Sequence, residues 1–168
     1  MKLLQSLLII RPLNVILSGC AVYIAAHIIN ESFSTNTIDF LSFSSIIFQI
    51  LVVCSYTAAS NVINDIYDIK SDAINHPNRP LPKKAISKKQ AIIISIILFM
   101  LGIVCSLQLA PINVSLLPRR GFIFANFIIL PLILLYTPFF KNKPLLGNLV
   151  ISFILGSVFL FTEISILG

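Results

Sequence analysis

The stretch FLSFSSIIFQILVVCSYTAASNVI, residues 40–63, is followed directly by NDIYDIKSDAINHPNRPLP, residues 64–82. The first part carries no charged residue over a length that suits a helix crossing a ~30 Å hydrocarbon layer, roughly 20 residues. The second part opens with Asp65, Asp68 and Asp72, although the whole chain has only six acidic residues. This junction indicates a helix that leaves a membrane at a functional polar site.

Long apolar runs recur along the whole chain. Hydrophobic residues make up 57% of the sequence and charged residues 11%, whereas a soluble domain has about a quarter of its residues charged. Backbone groups in lipid must be paired within their own segment, so such runs predict helices, and a β-barrel would show short alternating strands instead. The sequence therefore predicts an all-α, polytopic transmembrane helical bundle. Its five predicted spans are Leu13–Ile29, Phe40–Ile63, Ala91–Leu109, Phe122–Phe139 and Leu145–Ile166.

The positive charge is concentrated in particular connections between the runs. The net charge is +6, which could indicate a nucleic-acid partner, but ten of the twelve basic residues fall on one side if the spans alternate. Those ten are Lys2, Arg11, Lys70, Arg79, Lys83, Lys84, Lys88, Lys89, Lys141 and Lys143. The positive-inside rule then predicts a multi-pass protein of the cell membrane with this side and the amino terminus in the cytoplasm, and no nucleic-acid partner.

Oxygen-bearing side chains are predicted to share one helical face at the junction. At 100° per residue, four of them fall within about 60°, and a fifth lies somewhat further round. The four are Asn61, Asp65, Asp68 and Asp72, and the fifth is Asn64. Carboxylates so close repel one another, and Mg²⁺ prefers carboxylate and amide oxygens completed by a substrate's phosphates. The alternative is that the acids only solvate a helix end or pair with neighbouring basic residues.

The segment after the acids supplies fixed cations. INHPNRPLPKK, residues 74–84, has three prolines, so a short stiff loop could hold Arg79, Lys83 and Lys84 near the acidic face. Arginine is suited to clamp a phosphate through two hydrogen bonds. A second connection, YTPFFKNKPLLGN, residues 136–148, brings Lys141 and Lys143 to the same side. The sequence therefore predicts a binding site for a polyanionic headgroup.

Three motifs resemble one protein family. Asn64-Asp65-x-x-Asp68-x-x-x-Asp72, followed by NHPNRPLP, is similar to the first aspartate motif of the UbiA superfamily of intramembrane prenyltransferases. Arg11-Pro12-x-Asn14 resembles the opening of that family. The segment from Tyr136 through Lys141 to Gly147-Asn148 resembles its loop between the fourth and fifth helices.

The resemblance implies a Mg²⁺-dependent transfer of a prenyl group from a prenyl diphosphate to a lipophilic acceptor. It implies Asp65, Asp68 and Asp72 as catalytic acids, and Asn64, Asp68 and Asp72 as the residues that hold Mg²⁺ on the diphosphate. The implied substrate-binding residues are Asn14, Asn61, Asn64, Arg79, Tyr136, Lys141 and Asn148. An allylic C–O bond breaks towards a carbocation as the diphosphate leaves, so metal ions and Arg or Lys would stabilise the departing negative charge.

The motifs define the acceptor less closely than they define the reaction. NHPNRPLP and KPLLGN are closest to the archaeal members that make ether lipids by joining a geranylgeranyl chain to geranylgeranylglyceryl phosphate. Family members that act on an aromatic quinone precursor or a tetrapyrrole share the first motif. Both kinds of acceptor stay open.

The chain departs from the family pattern in its length. Complete members have about nine spans and a second aspartate motif, whereas beyond Asp72 the only acid here is Glu163. Residues 1–168 are therefore expected to be the N-terminal part of a UbiA-type domain. The chain could be a fragment, a truncated product, or a membrane protein whose missing half comes from a partner chain.

Two other classes of membrane protein share some of these features. CDP-alcohol phosphotransferases also place aspartates with Mg²⁺ on membrane helices, but their Asp-Gly, Ala-Arg and Gly-Asp-Asp pattern is absent. A transporter or assembly subunit would carry ionisable groups at mid-membrane, whereas the acids here sit at a helix end. The amides of Gln49 and Asn126, within apolar runs, are expected to form interhelical hydrogen bonds.

Overall fold

The computed structural model of the chain describes residues 7–32, 40–109 and 120–167. Every regular element in these ranges is helical, so the predicted all-α class is confirmed. The helices are α1 (Pro12–Ser32), α2 (Phe40–Tyr67), α3 (Ile69–Asn75), α4 (Lys88–Ser106), α5 (Arg120–Phe140) and α6 (Pro144–Leu167), and a short 3₁₀ turn, Leu107–Leu109, follows α4.

Five of the six helices are long and apolar enough to cross a membrane, as predicted. Their ends agree with the predicted ends within a few residues. The largest difference that matters is at the end of α2, which continues four residues past Ile63 to Tyr67. Asn64 and Asp65 therefore belong to the spanning helix itself, because they continue its hydrogen-bonded turns instead of beginning a loop.

Helix α2 lies at the centre of the bundle and packs against α1, α4, α5 and α6. Its Val52, Tyr56 and Ala59 are buried in a core with Phe99 of α4 and Phe161 of α6. The rings of Tyr56 and Phe99 are tilted, with centroids 5.9 Å apart, a favourable aromatic arrangement. Burial of α2 on several sides fixes the rotation of the helix that carries the acids.

A polar network inside the bundle joins three helices. The Tyr56 hydroxyl donates to Asn126 Oδ1 at 2.7 Å, and Asn126 Nδ2 donates to Ser106 Oγ at 2.9 Å. Asn126 thus confirms the predicted interhelical hydrogen bonding. For Gln49 the prediction is wrong in the part of the chain described, since its amide donates to Ser45 one turn earlier in α2. The contacts of Asn126 with Tyr56 and Ser106 are of the kind that joins neighbouring helices in lipid.

The Tyr56 ring lies against Gly102 of α4 so closely that a methyl group there would overlap it. We expect Gly102→Ala to lower stability by about 1–3 kcal/mol, because overpacking forces a side chain or the backbone to move and Tyr56 is held by Asn126. Thermal unfolding in detergent would measure the effect. Gly156→Ala is the matched control, since a Cβ at Gly156 meets nothing within 4 Å. Equal melting temperatures for the two variants would contradict this packing.

A second small core holds the loop between α3 and α4. Leu81 and Ile86 of the loop are buried with Ile9, Val62 of α2 and Ala91 of α4. The loop ends in a capping box. The backbone N–H of Gln90 donates to the Ser87 hydroxyl, and the backbone N–H of Ser87 donates to the Gln90 side-chain oxygen, which stabilises the start of α4. The loop is therefore anchored at Leu81, at Ile86 and at its junction with α4, and Arg79 lies two residues before the first of these anchors.

Helix α5 has two π-helical segments, Phe124–Ile129 and Tyr136–Phe140. Leu130 N–H bonds to the Ala125 carbonyl, and Lys141 N–H to the Tyr136 carbonyl at 2.8 Å, both across five residues. Pro131 follows the first segment and Pro138 lies in the second; a proline removes a donor and collides with the carbonyl four residues earlier. Wider turns relieve that collision.

Candidate active site

The acids lie where α2 passes into α3. Asp68 interrupts the helix, but the backbone hydrogen bonds continue through it, from Asp68 N–H to the Asn64 carbonyl at 2.9 Å and from Asp72 N–H to the Asp68 carbonyl at 2.7 Å. The three carboxylates therefore keep nearly helical spacing. Asp65 and Asp72 are buried, whereas Asp68 is partly exposed.

Asp65 forms an ion pair with Arg11, which stands immediately before α1. Arg11 has a φ of 54°, a left-handed conformation that is costly for residues other than glycine. Its position is supported by hydrogen bonds on either side: Asn61 Nδ2 donates to the Ile10 carbonyl at 2.9 Å, and Asn14 N–H donates to the Arg11 carbonyl at 3.0 Å. The start of α1 is thereby tied to the end of α2.

Arg79 joins two of the acids. Its Nη1 donates to both carboxylate oxygens of Asp72 at 2.7 Å and lies 3.7 Å from Asp65 Oδ1. The hydrogen bond to Asp72 is the main cause that raises the pKa of Arg79, opposed by partial burial and supported by the charges of Asp65, Asp72 and Asp68. The guanidinium is therefore positively charged at any working pH.

The end of α5 contacts the same face. The Thr137 hydroxyl donates to Asn64 Oδ1, and Lys141 Nζ forms an ion pair with Asp68. The structure thus gathers most of the predicted site at one end of the bundle, with Asn61 at its edge. Elements distant in sequence supply the cations: the residue before α1, the loop before α4, and the end of α5.

Some predicted residues lie apart from this cluster. Asn14 and Asn148 are exposed and Tyr136 is partly buried; in the described ranges none of the three hydrogen-bonds to the acids. Lys83 and Lys84 are also exposed, and neither forms an ion pair with a described carboxylate. Their roles in binding stay predictions.

Sequence reasoning missed two residues of the cluster, Arg11 and Thr137. Arg11 was noted only as part of a motif and as a topological charge, and Thr137 not at all. A cation between two apolar segments is costly unless it has a partner, so Arg11 could have been recognised by that cost. Thr137 carries no such signal, since a threonine in an apolar helix usually bonds to its own backbone.

The donor chemistry of the cluster fits a hard divalent cation. Carboxylate and amide oxygens are the ligands that Mg²⁺ prefers, and Asn64, Asp68 and Asp72 supply them on consecutive turns. Within the ranges given above, no three acidic, histidine or cysteine side chains are close enough to hold a metal together. Asp65, Asp68 and Asp72 each pair with a cation of the chain instead. The predicted set of two carboxylates and one amide would bind a metal by exchanging those partners.

An apolar cavity of about 80 Å³ lies between α1, α2, α5 and α6. Ile133, one turn from Thr137, and Ile129, a further turn away, line it on α5, and Thr57 and Val53 line it on α2. Binding sites for drug-sized ligands enclose roughly 300–1,000 Å³, so this cavity would enclose only part of a long chain. It begins about two helical turns from the acids along α2 and extends away from them.

Comparisons with known proteins agree with the motifs. The model of the UbiA prenyltransferase family matches residues 32–164. The digeranylgeranylglyceryl phosphate synthase of Methanospirillum hungatei JF-1 is 36% identical over 153 residues, which cover 91% of this chain and 49% of that protein. The enzyme of the same name from Methanosarcina mazei is 38% identical over 158 residues, 91% of this chain and 52% of that protein.

A solved structure from work on digeranylgeranylglyceryl phosphate synthase in membranes is similar throughout, with a TM-score of 0.80 and 35% identity over 98% of this chain and 53% of that one. The chain thus spans about half the length of the relatives it matches. The family match covers most of the sequence, including the acids, Arg79 and Lys141. The chain belongs to the UbiA prenyltransferase family.

Proposed function

We propose that this chain forms the diphosphate-binding part of a prenyltransferase that uses Mg²⁺ and makes an archaeal-type ether lipid. The donor would be a prenyl diphosphate, with geranylgeranyl as the chain, and the acceptor geranylgeranylglyceryl phosphate. The names of the relatives support this choice of substrates. Residues 1–168 would correspond to the N-terminal part of the catalytic domain.

One observation carries the proposal: three carboxylates and three cations from separate segments converge at one end of a lipid-embedded bundle, and an apolar cavity begins about two helical turns away. A prenyl diphosphate has the matching polarity, with a highly charged head and an apolar tail. The head would bind among Arg79, Lys141 and the acids, and the first part of the tail would enter the cavity past Ile133.

The chain's own residues would act on the leaving group. The bond between the first prenyl carbon and its diphosphate oxygen breaks, and the electron pair leaves with the diphosphate. The acceptor hydroxyl oxygen then bonds to that carbon and releases its proton. Arg79 and Lys141 would hydrogen-bond to the diphosphate oxygens as negative charge builds there. Mg²⁺ held by Asn64, Asp68 and Asp72 would add positive charge at the same oxygens.

The cavity would contribute by excluding water. A carbocation formed beside water would be captured by it and the prenyl group lost as an alcohol. On α5, the side chains of the cavity wall that lie nearest the acids are the apolar Ile133 and Ile129. On α2, the lining side chain nearest the acids is the polar Thr57. A tail seated there would bring the reactive carbon to the boundary between the apolar and charged parts.

The direct test measures binding and transfer in nanodiscs. We expect geranylgeranyl diphosphate to bind the chain more tightly with Mg²⁺ than with EDTA, and a complete domain that includes residues 1–168 to convert geranylgeranylglyceryl phosphate to the doubly prenylated product, seen by mass spectrometry. Absence of Mg²⁺-dependent binding would overturn the proposal. Binding without transfer would restrict it to the donor site.

A parallel assay separates the acceptors. In the same nanodiscs, 4-hydroxybenzoate would replace the glyceryl phosphate as acceptor. Prenylation of the aromatic ring, with no reaction of the glyceryl phosphate, would favour the quinone-precursor alternative.

The orientation is part of the proposal. We place the cluster and the amino terminus on the cytoplasmic side, because most basic residues lie at that end. A cysteine introduced at Lys83 is expected to react only with reagents that reach the cytoplasm. Labelling by an impermeant reagent from outside would reverse the orientation.

A further inference from the structure

Arg11, Asp65, Arg79 and Asp72 form a continuous row of alternating charges. Arg11 Nη2 pairs with Asp65 Oδ1, the same Oδ1 lies 3.7 Å from Arg79 Nη1, and that Nη1 binds both oxygens of Asp72 at 2.7 Å. Asp65 is therefore shared by two arginines that are 68 residues apart in the sequence, one before α1 and one in the loop before α4.

Both acids in this row are buried, but Asp65 lies near two arginines and Asp72 near one. The Asp65 side chain is 4% exposed, whereas Arg11 and Arg79 are 32% and 30% exposed. A buried carboxylate needs a permanent charged partner, so Asp65 faces inwards and is covered by the two guanidinium groups. Exchanging the partners of Asp65 for a metal would remove the charge shared by two arginines. Asp72 is as buried but has one arginine partner among the described residues, and Asp68 is more exposed and paired with a flexible lysine.

Each guanidinium keeps donors for a further ligand. In the described part of the chain, the side-chain hydrogen bonds of Arg11 use only Nη2 and those of Arg79 use only Nη1. An arginine has five N–H donors in a planar fork suited to phosphate oxygens. Arg11 is hydrogen-bonded to Asp65, and Arg79 is hydrogen-bonded to Asp72 with its Nη1 3.7 Å from Asp65, so the donors that remain on the two arginines lie at the same end of the bundle.

We infer that Asp65 is a positioning residue, which holds Arg11 and Arg79 together as a two-arginine clamp for the diphosphate and does not bind the metal. The inference rests on the proposed function for the identity of the anion. It differs from the sequence expectation, which grouped Asp65 with the catalytic acids. Asp68 and Asp72 keep their roles as candidate metal ligands.

The arrangement also explains why Arg79 touches two acids. If Asp72 turns to a metal ion, Arg79 loses its hydrogen bonds to Asp72 but stays beside Asp65. The guanidinium is then kept at the site by Asp65 while its donors become available to the anion. The second arginine, Arg11, is held by its ion pair with Asp65. Its backbone has a left-handed conformation and stands directly before α1, so Arg11 is not on a long flexible loop.

Two probes distinguish a clamp from a metal ligand. Inorganic diphosphate in EDTA, followed by calorimetry with the full chain in detergent, reports on the arginines alone. Free Mn²⁺, followed by electron paramagnetic resonance, reports on the metal ligands. We expect Asp65→Asn to weaken diphosphate binding at least tenfold and to leave Mn²⁺ affinity unchanged, and Asp68→Asn to weaken Mn²⁺ binding without weakening diphosphate binding.

Coupling between the residues gives a second readout. Arg11→Gln should weaken diphosphate binding severalfold, and the double variant Arg11→Gln with Asp65→Asn should bind no worse than Asp65→Asn alone, because one acts through the other. Arg11→Lys keeps the charge and should restore part of the affinity. Lys89→Gln is the control for loss of a positive charge, since Lys89 is exposed at the start of α4.

The inference fails on several outcomes. Loss of Mn²⁺ affinity in Asp65→Asn would make Asp65 a metal ligand, and multiplying losses in the double variant would show that Arg11 and Asp65 act independently. Absence of saturable diphosphate binding by the unaltered chain would remove the clamp itself. If Asp65→Asn does not fold, Arg11→Gln and Arg11→Lys with the same probes decide the question. Since no step of this test uses prenyl transfer, the clamp can stand if the proposed reaction fails.

Discussion

Asp72→Asn and Asp68→Asn are each expected to reduce prenyl transfer by about 100-fold to 1,000-fold, the loss typical when one group that stabilises developing charge is removed. Asparagine keeps the size of aspartate but loses the negative charge that would retain Mg²⁺ beside the diphosphate. In Asp72→Asn, Arg79 would also lose one of its two hydrogen bonds to residue 72, because the amide NH₂ cannot accept from Nη1. Initial rates of product formation in nanodiscs at saturating donor would measure the effect.

The matched control for these substitutions is Glu163→Gln. Glu163 is an exposed acid near the far end of α6, away from the cluster, so the same change of charge there should leave the rate within about twofold. Amounts of inserted protein must be equal in all three variants. Full transfer rates in both aspartate variants would remove the acids from the reaction.

Arg79→Ala is expected to raise the Kd for the prenyl diphosphate about 10-fold to 100-fold, because hydrogen bonds to a charged group contribute about 1.5–3 kcal/mol and each 1.4 kcal/mol is a factor of ten. The variant also leaves Asp72 buried without its main partner. Arg79→Lys should recover only part of the affinity, since an ammonium group cannot form the planar fork. Titration with a non-hydrolysable donor analogue would measure both.

Lys83→Ala serves as the control for Arg79. It lies four residues later in the same loop, is exposed, and forms no ion pair with a described carboxylate. An equal rise in Kd for Lys83→Ala and Arg79→Ala would show that the loop acts through its overall charge. An unchanged Kd in Arg79→Ala would exclude Arg79 from the binding site.

Much of the fold could be predicted because a chain in lipid must pair its own backbone hydrogen-bonding groups. In five apolar runs of membrane-spanning length, a helix pairs the backbone groups within each run, and residues 7–32, 40–109 and 120–167 contain five such helices. The predicted span ends at Ile63, four residues before the helix ends at Tyr67, because the run of apolar side chains stops there. The fit of Tyr56 against Gly102 was not predictable, because packing of one helix on another leaves no periodic signal in either sequence.

Site residues could be predicted where their charges are energetically unfavourable without a partner. They could not be predicted where only the packing of the helices brings them together. Three acids in eight positions are unfavourable alone, which singled out Asp65, Asp68 and Asp72, and prolines around Arg79 indicated a fixed cation. The sequence could not show which cation meets which acid. Pairing Arg11 with Asp65 depends on how α1 packs on α2, and Thr137, which hydrogen-bonds to Asn64, lies in a π-helical turn of α5.

The π-helical winding of α5 has a consequence for comparing this chain with its relatives. A π turn is an α-helix with one additional residue in a turn, so losing one residue from Phe124–Ile129 would tighten the turn and leave the rest of α5 facing as before. Losing a residue from Leu130–Leu135 would instead rotate Thr137 and Lys141 by about 100° away from α2. A single-residue gap in an alignment within Phe124–Ile129 would therefore leave the site intact. The same gap within Leu130–Leu135 would move Thr137 and Lys141 away from the acids of α2.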